Sequence, residues 1–234
     1  MRIALVGYGK MGKIIDEIAT SRGHEVVAKL NETPTIENLN NPDVVIEFSQ
    51  PEVAFSNIKS CLEQRIPVVC GTTGWLHQKP EIEAIAKQNN SAFLYGSNFS
   101  LGVNLFFALN EKLAALMKDF DNDYQVQLEE IHHTHKKDAP SGTAISLAEG
   151  IIKNHPKFNA WKLHDTEGEQ LGIFAIREDE VPGTHSVYYS SEVDEIEIKH
   201  TAFSRKGFAL GAVIAAEWIV GKEGIFSMND VLGL

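Results

Sequence analysis

A short segment in the middle of the chain brings together bases, ammonium groups and a helix start. Its chemistry-bearing residues are His132, His133, His135, Lys136 and Lys137, followed by Pro140-Ser141-Gly142-Thr143. Histidine titrates near neutral pH, and lysine supplies both a proton and a positive charge. This combination predicts a site that binds a small anion and protonates it.

The helix start after these residues is a second anion-binding feature. Ser141 is a typical N-cap residue, and we predict a helix over residues 141–152. The N–H groups of Gly142 and Thr143 then lack partners within the helix and can bind a carboxylate. The segment therefore offers proton donors and carboxylate-binding groups side by side.

The same segment has two other interpretations. A metal site is the chemical alternative, because three histidines and Asp138 could all serve as ligands. However, the two neighbouring lysines would repel a cation, and histidines in a loop lack a fixed ligand geometry. A solvated hydrophilic loop is the other alternative, which the adjoining helix start makes less favourable. We expect no metal here.

A glycine-rich turn near the N-terminus predicts dinucleotide binding. Its sequence is Gly7-Tyr8-Gly9-Lys10-Met11-Gly12, which has the spacing G-x-G-x-x-G between a predicted strand and a predicted helix. The first glycine permits a tight turn, the second lets the backbone approach a pyrophosphate, and the third lets helix and strand pack closely. The helix start adds free N–H groups and a positive dipole end. A packing turn without a ligand is the alternative.

Three further positions bear on the cofactor. Asn31 lies at the end of the second predicted strand, where an acidic residue normally holds the ribose, and Glu32 follows it. The turns after the fourth and fifth predicted strands are Gly71-Thr72-Thr73-Gly74 and Gly96-Ser97-Asn98-Phe99. Ligands of such folds bind at the carboxyl ends of the strands, although ordinary turns would have similar sequences.

The elements around these motifs indicate two domains. We predict buried strands at residues 3–6, 25–30, 44–46, 66–70 and 92–95, and helices at 11–20, 51–64 and 80–89. This alternation predicts an α/β fold with a Rossmann-type doubly wound parallel sheet. We assign residues 1–100 and 208–234 to this dinucleotide-binding domain.

The second half of the chain predicts a smaller α+β domain. We predict helices at residues 103–117 and 141–152, a half-exposed strand from Tyr124, and several strands within 171–203. These strands have the pattern of an open, antiparallel or mixed sheet. We assign residues 101–207 to substrate binding and oligomerisation, and expect a final helix at 208–220 to return to the first domain.

Composition excludes some classes of partner. The 234 residues carry a net charge of -11, which argues against nucleic acid, although a small anion can still bind where the local charge is positive. The N-terminal apolar run is too short for a signal peptide, and no stretch is long enough to span a membrane. We therefore expect a cytoplasmic protein without nucleic-acid or membrane partners.

Residues 130–144, with the sequence EIHHTHKKDAPSGTA, resemble the signature of the 4-hydroxy-tetrahydrodipicolinate reductase family, formerly called dihydrodipicolinate reductase. The resemblance continues at residues 7–12, 47–49, 71–74, 98–104, 204–205 and 208–209, so it spans the whole chain. One departure concerns Asn31, which replaces the acidic residue usual in the family. This departure leaves the choice between NADH and NADPH open.

The resemblance implies roles for individual residues. It makes His132 the proton-transfer histidine and Lys136 the proton donor. The substrate-binding residues would be His133, Gly142 and Thr143, to which we add Ser141 as the helix N-cap. The cofactor-binding residues would be Gly7, Tyr8, Gly9, Lys10, Met11, Gly12, Gly71, Thr72, Thr73, Gly96, Ser97, Asn98 and Phe99, to which we add Asn31 from its position after the second predicted strand.

The resemblance also implies a reaction. It implies transfer of a hydride from NADH or NADPH to C4 of a cyclic imine dicarboxylate, with loss of water, in lysine and diaminopimelate biosynthesis. It further implies a homotetramer and no metal. The alternatives are another Rossmann-type oxidoreductase, acting on a small dicarboxylate or semialdehyde, and a non-catalytic dinucleotide sensor.

Overall fold

The computed structural model describes residues 1–165 and 168–234. The chain divides into two compact units, one built from Met1–Leu101 with Lys206–Leu234 and the other from Gly102–Arg205. The first unit is therefore assembled from both ends of the chain. Among the described residues, no helix is both long and apolar enough to cross a membrane.

The first unit contains a six-stranded sheet whose neighbouring strands are all parallel. Its strands are β1 (Arg2–Val6), β2 (Glu25–Leu30), β3 (Val44–Glu47), β4 (Val68–Cys70), β5 (Ala92–Tyr95) and β11 (Gly224–Phe226). They lie in the order β11-β5-β4-β3-β1-β2. The chain reverses direction across the sheet between β1 and β3, which is where ligands bind in open parallel sheets.

Helices cover both faces of this sheet. They are α1 (Lys10–Ser21), α2 (Ile36–Leu39), α3 (Pro51–Glu63), α4 (Lys79–Gln88), α7 (Lys206–Ile219) and α8 (Met228–Leu232). Ile3 and Leu5 of β1 pack with residues of α1 and α7, whereas Ala4 and Val6 pack with residues of α3 and α4. Because both faces are covered, the strands are continuous apolar runs. The predicted doubly wound fold is confirmed.

The second unit contains a five-stranded sheet. Its elements are α5 (Leu101–Met117), β6 (Gln125–His132), α6 (Gly142–Asn154), β7 (Ala160–Leu163), β8 (Gln170–Arg177), β9 (Thr184–Ser190) and β10 (Glu195–Thr201). The strands lie in the order β10-β9-β6-β8-β7. Val126 and Leu128 of β6 point to a core that also contains Ala144 and Leu147 of α6.

The pairing of this sheet differs from a purely antiparallel arrangement. β9 is antiparallel to both β6 and β10, but β8 is parallel to β6 and to β7. A parallel neighbour requires a crossover connection, and the chain between β6 and β8 contains α6. The sheet is therefore mixed, and a crossover of this kind is not visible in the alternation of residues within the strands.

The remaining differences are short elements. The sequence patterns did not indicate α2, β7, β11 or α8, each of which has between three and five residues. Elements of this length show no usable periodicity. The fourth strand begins at Val68 rather than at residue 66, since Pro67 has no N–H to donate to a neighbouring strand.

Candidate active site

The signature segment begins on β6 and ends in α6, so the fold of the second unit holds it at both ends. The burial of β6 alternates strictly along the strand. His132 therefore lies on the same buried face as Val126 and Leu128, as the alternation predicted. Glu130 lies on this face as well, and its side chain is completely buried.

The Glu130 carboxylate is the centre of a polar cluster. The backbone N–H of Ser141 donates to both of its oxygens, at 3.2 and 3.0 Å. Nη2 of Arg177 donates to Oε1 at 3.2 Å. Oε2 lies 3.5 Å from Nδ1 of His132 and 3.7 Å from Nε2 of His185. One carboxylate thus connects β6, β8, β9 and the residue that precedes α6.

These contacts keep Glu130 ionised. Burial alone would raise its pKa, but hydrogen bonds from His185 and Ser141 and the charge of His132 outweigh burial and lower the pKa to about 2. Arg177 supplies a permanent positive charge on the other oxygen. The carboxylate is therefore an anion throughout the physiological pH range.

The surroundings of His132, in contrast to those of Glu130, favour its uncharged form. Burial lowers its pKa to about 4, and repulsion from His185, Lys136 and Arg177 adds to this, whereas Glu130 opposes it. The rings of His132 and His185 meet edge to face, with centroids 5.0 Å apart. The ligand-free protein thus holds His132 as a neutral imidazole near pH 7.

Lys136 lies in the loop after β6 and is mostly covered. Its Nζ donates to both oxygens of Asp138, at 2.8 and 2.7 Å. The Asp138 side chain is 61% exposed, and the pairing lowers the pKa of this carboxyl. An exposed pair of this kind contributes little stability, so a bound anion can compete with Asp138 for the ammonium group.

The start of α6 has the predicted geometry. The Oγ of Ser141 accepts a hydrogen bond from the N–H of Ala144 at 3.2 Å, which makes Ser141 the N-cap. A Cβ added at Gly142 would meet no protein atom within 4 Å, and Thr143 is half-buried. Gly142 is thus exposed at a helix start whose first N–H groups lack partners within the helix, as an anion-binding site requires.

The other two histidines lie apart from the buried cluster. The His133 N–H donates to the carbonyl of Val181 at 2.8 Å, so its backbone is fixed while its side chain is half-buried. His135 is exposed, and its ring centroid lies 6.3 Å from that of His133. The structure thus joins His132, Lys136 and the α6 start, and leaves His135 at the surface.

Glu130, His132 and His185 are close enough together for a metal ion to be considered. The same carboxylate, however, already contacts the guanidinium of Arg177 at 3.2 Å, which would repel a cation. This set also differs from the ligands that the sequence suggested, since His133, His135 and Asp138 are not part of it. We do not assign a metal to this site.

The cofactor candidates lie in the first unit, at the carboxyl ends of neighbouring strands. Gly7 has a φ of +91°, and a Cβ there would lie 2.1 Å from the carbonyl oxygen of Phe48. A Cβ at Gly12 would lie 2.4 Å from the Gly7 oxygen, whereas one at Gly9 would meet nothing within 4 Å. Gly7 and Gly12 are thus required by packing, while Gly9 leaves room for a ligand. This turn fits a dinucleotide.

The other residues of this turn start α1 or contact Asn31. Lys10 and Met11 lie in the first turn of α1. No acidic residue lies in this first turn. The backbone N–H of Tyr8 donates to Oδ1 of Asn31 at 2.8 Å. Because an N–H group can only donate, this contact identifies the amide oxygen and leaves the NH₂ group of Asn31 directed elsewhere.

The turn after β4 is held by residues at the end of β3 and just after it. The N–H of Ser49 donates to Oγ1 of Thr72 at 2.8 Å, so the Thr72 hydroxyl has a structural partner. Ser49 also donates to Glu47, a fully buried carboxylate that accepts from the Cys70 thiol at 3.1 Å. Thr73 is exposed. The hydroxyls of this turn thus differ in their freedom to contact a ligand.

The turn after β5 is anchored by packing. Phe99 is buried and its ring lies 5.6 Å from that of Phe48, measured between centroids. Oδ1 of Asn98 accepts from the N–H of Ser100 at 2.9 Å, while Ser97 is exposed. A Cβ at Gly96 would press on the Phe99 ring at 3.2 Å. The backbone of this turn is therefore fixed where it faces the carboxyl end of the sheet.

The parallel sheet with its glycine turn, and a second unit with a cluster of titratable side chains at a helix start, have the architecture of a Rossmann-type oxidoreductase that uses a nicotinamide dinucleotide. The family models for dihydrodipicolinate reductase match both parts of the chain, the N-terminal model over residues 1–99 and the C-terminal model over 102–232. The chain belongs to the dihydrodipicolinate reductase family.

Curated relatives agree with this assignment. The 4-hydroxy-tetrahydrodipicolinate reductase of Christiangramia forsetii is 53% identical, with 99% of this chain and 98% of the relative covered. The enzyme of the same name from Methanocaldococcus jannaschii is 37% identical, with 98% and 81% covered. The chain is accordingly an oxidoreductase that acts on 4-hydroxy-tetrahydrodipicolinate, in amino-acid biosynthesis.

Solved structures share the fold. A dipicolinate-bound dihydrodipicolinate reductase from Paenisporosarcina sp. TG-14 superposes with a TM-score of 0.77 at 22% identity, and 97% of each chain is covered. A meso-diaminopimelate dehydrogenase variant from Clostridium tetani gives 0.54 at 13% identity, with 98% and 94% covered. These likenesses concern the fold.

Proposed function

We propose that the first unit binds the nicotinamide dinucleotide and that the polar cluster of the second unit binds and protonates the substrate. The carrying observation is the Glu130 carboxylate, which connects His132 to the residue that opens α6. This arrangement brings a basic side chain and a carboxylate-binding helix start to one place. Reduction of a cyclic imine dicarboxylate needs both.

In this proposal the helix start and the lysine of the second unit bind the two carboxylates of the substrate. One carboxylate binds the N–H groups of Gly142 and Thr143 in the first turn of α6, where Gly142 is exposed. His133 and Ser141 flank this position as further contacts. Lys136 turns from the exposed Asp138 toward the bound dianion. The net charge of the whole chain does not prevent this, because Lys136 and Lys137 supply positive groups beside the start of α6.

The proton comes from Lys136 in this proposal. A nicotinamide dinucleotide, when bound, supplies the hydride that reaches C4 of the ring as water is lost. The ring then takes up one proton at its nitrogen or at the adjoining carbon. His132 is neutral before substrate binds, since its pKa is about 4, so the ammonium group of Lys136 is the better initial acid. His132 acts as a hydrogen-bond partner and proton acceptor.

Either nicotinamide dinucleotide should be accepted. Asn31 is uncharged, and its amide oxygen is engaged by Tyr8, so its NH₂ group can donate to a ribose hydroxyl or to a 2′-phosphate. The Glu32 carboxylate accepts from Nδ2 of Asn38 at 3.5 Å. Lys29 is paired with Asp16 at 2.6 Å. Because Glu32 and Lys29 already have these partners, we expect neither charge to favour NADH or NADPH strongly.

We also propose a homotetramer in the cytoplasm. Val193 and Phe203, in the unit that contains the five-stranded sheet, are 88% and 89% exposed. They flank the edge strand β10, whose outer side can pair with another chain.

The test is a coupled assay in which a synthase supplies fresh substrate and oxidation of NADH or NADPH is followed. We expect turnover with both cofactors. We also expect 2,6-pyridinedicarboxylate, a planar dicarboxylate of the kind bound in the Paenisporosarcina relative, to compete with the substrate. No turnover with either cofactor, or inhibition that competes with the cofactor alone, would contradict the proposal.

A further inference from the structure

We infer that Glu130 is a positioning residue for the reduction, because its carboxylate fixes His132 and the anion-binding start of α6 relative to one another. The inference rests on the proposed roles of His132 and α6. Glu130 itself is fully buried and does not need to touch the substrate.

The first argument is the position of Glu130 in its strand. β6 alternates buried and half-buried residues, and the buried positions before Glu130 are the apolar Val126 and Leu128. An apolar side chain at 130 would continue this pattern. A buried carboxylate costs free energy unless its contacts compensate. Its presence therefore indicates that its contacts serve a purpose.

The second argument is the direction of those contacts. Arg177 would suffice to neutralise the charge, and it occupies only Oε1, at 3.2 Å. Oε2 instead faces the backbone N–H of Ser141 at 3.0 Å, Nδ1 of His132 at 3.5 Å and Nε2 of His185 at 3.7 Å. The carboxylate thus spans the two parts of the proposed substrate site.

The third argument concerns the tautomer of His132. Its Nδ1 is buried and has no hydrogen-bond partner within normal geometry. Oε2 of Glu130 lies 3.5 Å from it, and hydrogen bonds of catalytic groups are often this long before a ligand binds. This favours the proton on Nδ1 and leaves Nε2 to exchange protons with the substrate. Residue 183 is a glycine, and this leaves room beside Nε2 of His132, since a Cβ at Gly183 would lie 3.1 Å from that atom.

Glu130 opposes the effect of the positive groups on the pKa of His132. Lys136 from the loop, Arg177 from β8 and His185 from β9 all disfavour a protonated His132, and Glu130 is the acidic group that opposes them. Glu130→Gln therefore should lower the pKa of His132 further. A residue with only a structural role would not change the tautomer or the titration of its neighbour.

The experiment compares Glu130→Gln and Glu130→Asp with Glu129→Gln, a matched control at the next residue, whose side chain points to the other face of β6. Steady-state assays give kcat and KM for substrate and for NADH. Nitrogen-15 NMR of histidine-labelled protein reports the tautomer and titration of His132, whose signals are assigned with His132→Gln.

We expect Glu130→Gln to lower kcat/KM for the substrate by about 10- to 100-fold, as loss of a group that orients a reactive histidine does, with KM for NADH unchanged. The Nδ1–H tautomer of His132 should dominate in the wild-type protein and be lost in Glu130→Gln. Glu130→Asp, which keeps the charge but is shorter, should be intermediate. Glu129→Gln should resemble the wild type.

Three results would overturn the inference. They are an Nε2–H tautomer of His132 in the wild-type protein, wild-type activity in Glu130→Asp, and a folded Glu130→Gln with unchanged kcat/KM. The first two remain decisive even when Glu130→Gln does not fold. The NMR measurement needs no turnover, so failure of the proposed function, seen as an inactive wild-type protein, is distinguishable from failure of the inference.

Discussion

At the scale of the residue, the environment makes two neighbours on one strand face behave differently. Hydrogen bonds lower the pKa of Glu130 to about 2, and burial lowers that of His132 to about 4. The sequence motif identified His132 and Lys136. Glu130 opens the same motif, but nothing in the motif gave it a role, and Arg177 and His185 come from distant strands. The signal that could have given Glu130 a role is an acidic residue in the buried register of β6.

The buried His132 predicts a dependence of stability on pH. Its pKa is about 4 in the folded protein against an ordinary 6.5, so the unfolded chain binds more protons between these values. The free energy of unfolding should therefore fall as the pH is lowered through this range, by on the order of 3 kcal/mol from this residue.

Denaturant unfolding of wild type and His132→Gln at several pH values measures this contribution. The variant should lose part of the decrease between about pH 6.5 and 4, relative to the wild type. His77→Gln, at an exposed histidine, is the control and should follow the wild type. Parallel curves for wild type and His132→Gln would show that His132 titrates normally.

Asn31 predicts a weak cofactor preference. Its neutral amide neither repels a 2′-phosphate nor binds both ribose hydroxyls as a carboxylate does. We expect kcat/KM for NADH and NADPH to agree within about tenfold, which corresponds to a difference of roughly 1.4 kcal/mol. Asn31→Asp should shift the ratio toward NADH. A wild-type ratio above about a hundredfold, or an unchanged ratio in the variant, would remove Asn31 from the account.

At the scale of the element, the sequence predicted long elements and those with local signals, but it did not predict how distant strands pair. The strands β1, β2, β3 and β5 were visible as apolar runs, since both faces of the sheet are covered. The parallel pairing of β6 with β8 was not visible, because pairing depends on the connection that α6 makes rather than on residues within the strands. The α6 start was predictable, as Ser141 caps it locally.

Two helix starts should respond to substitution in opposite ways. Gly142 and Gly9 each leave open space where a Cβ would lie, so side chains there meet a ligand before they meet protein. We expect Gly142→Val to raise KM for the substrate far more than KM for the cofactor. Gly9→Ala should do the reverse.

Each of these variants is the control for the other in the same steady-state assay. Gly12→Ala is a third comparison, because its Cβ would lie 2.4 Å from the Gly7 oxygen and should destabilise the fold itself. If Gly142→Val raised both KM values equally, the start of α6 would have no particular connection to the substrate.

At the scale of the whole molecule, the candidate residues separate into two units. Those for the cofactor lie in Met1–Leu101, and those for the substrate lie in Gly102–Arg205. The change in strand pattern along the chain indicated two parts, and the assignment of cofactor and substrate binding to them stays a prediction. The polar cluster around Glu130 was not predictable, since it depends on how three strands and a helix start meet.

The proposed tetramer predicts a mass in solution. Sedimentation equilibrium should give about four times the chain mass of 25.9 kDa, with the edge strand β10, flanked by the exposed Val193 and Phe203, at an interface. Phe203→Ser should weaken the assembly. A monomeric wild-type protein at micromolar concentration would contradict this part of the account.

The most direct test of the central claim is the turnover of Lys136→Ala in the coupled assay, with Lys137→Ala as the control at the next, exposed lysine. Lys136 is the proposed proton donor, and loss of a general acid typically lowers the rate by ~10²–10⁴-fold. We predict a fall in kcat of this size in Lys136→Ala, with KM for NADH unchanged and Lys137→Ala as active as the wild type. A fall of less than about tenfold in Lys136→Ala, or an equal fall in both variants, would contradict the claim that Lys136 protonates the substrate.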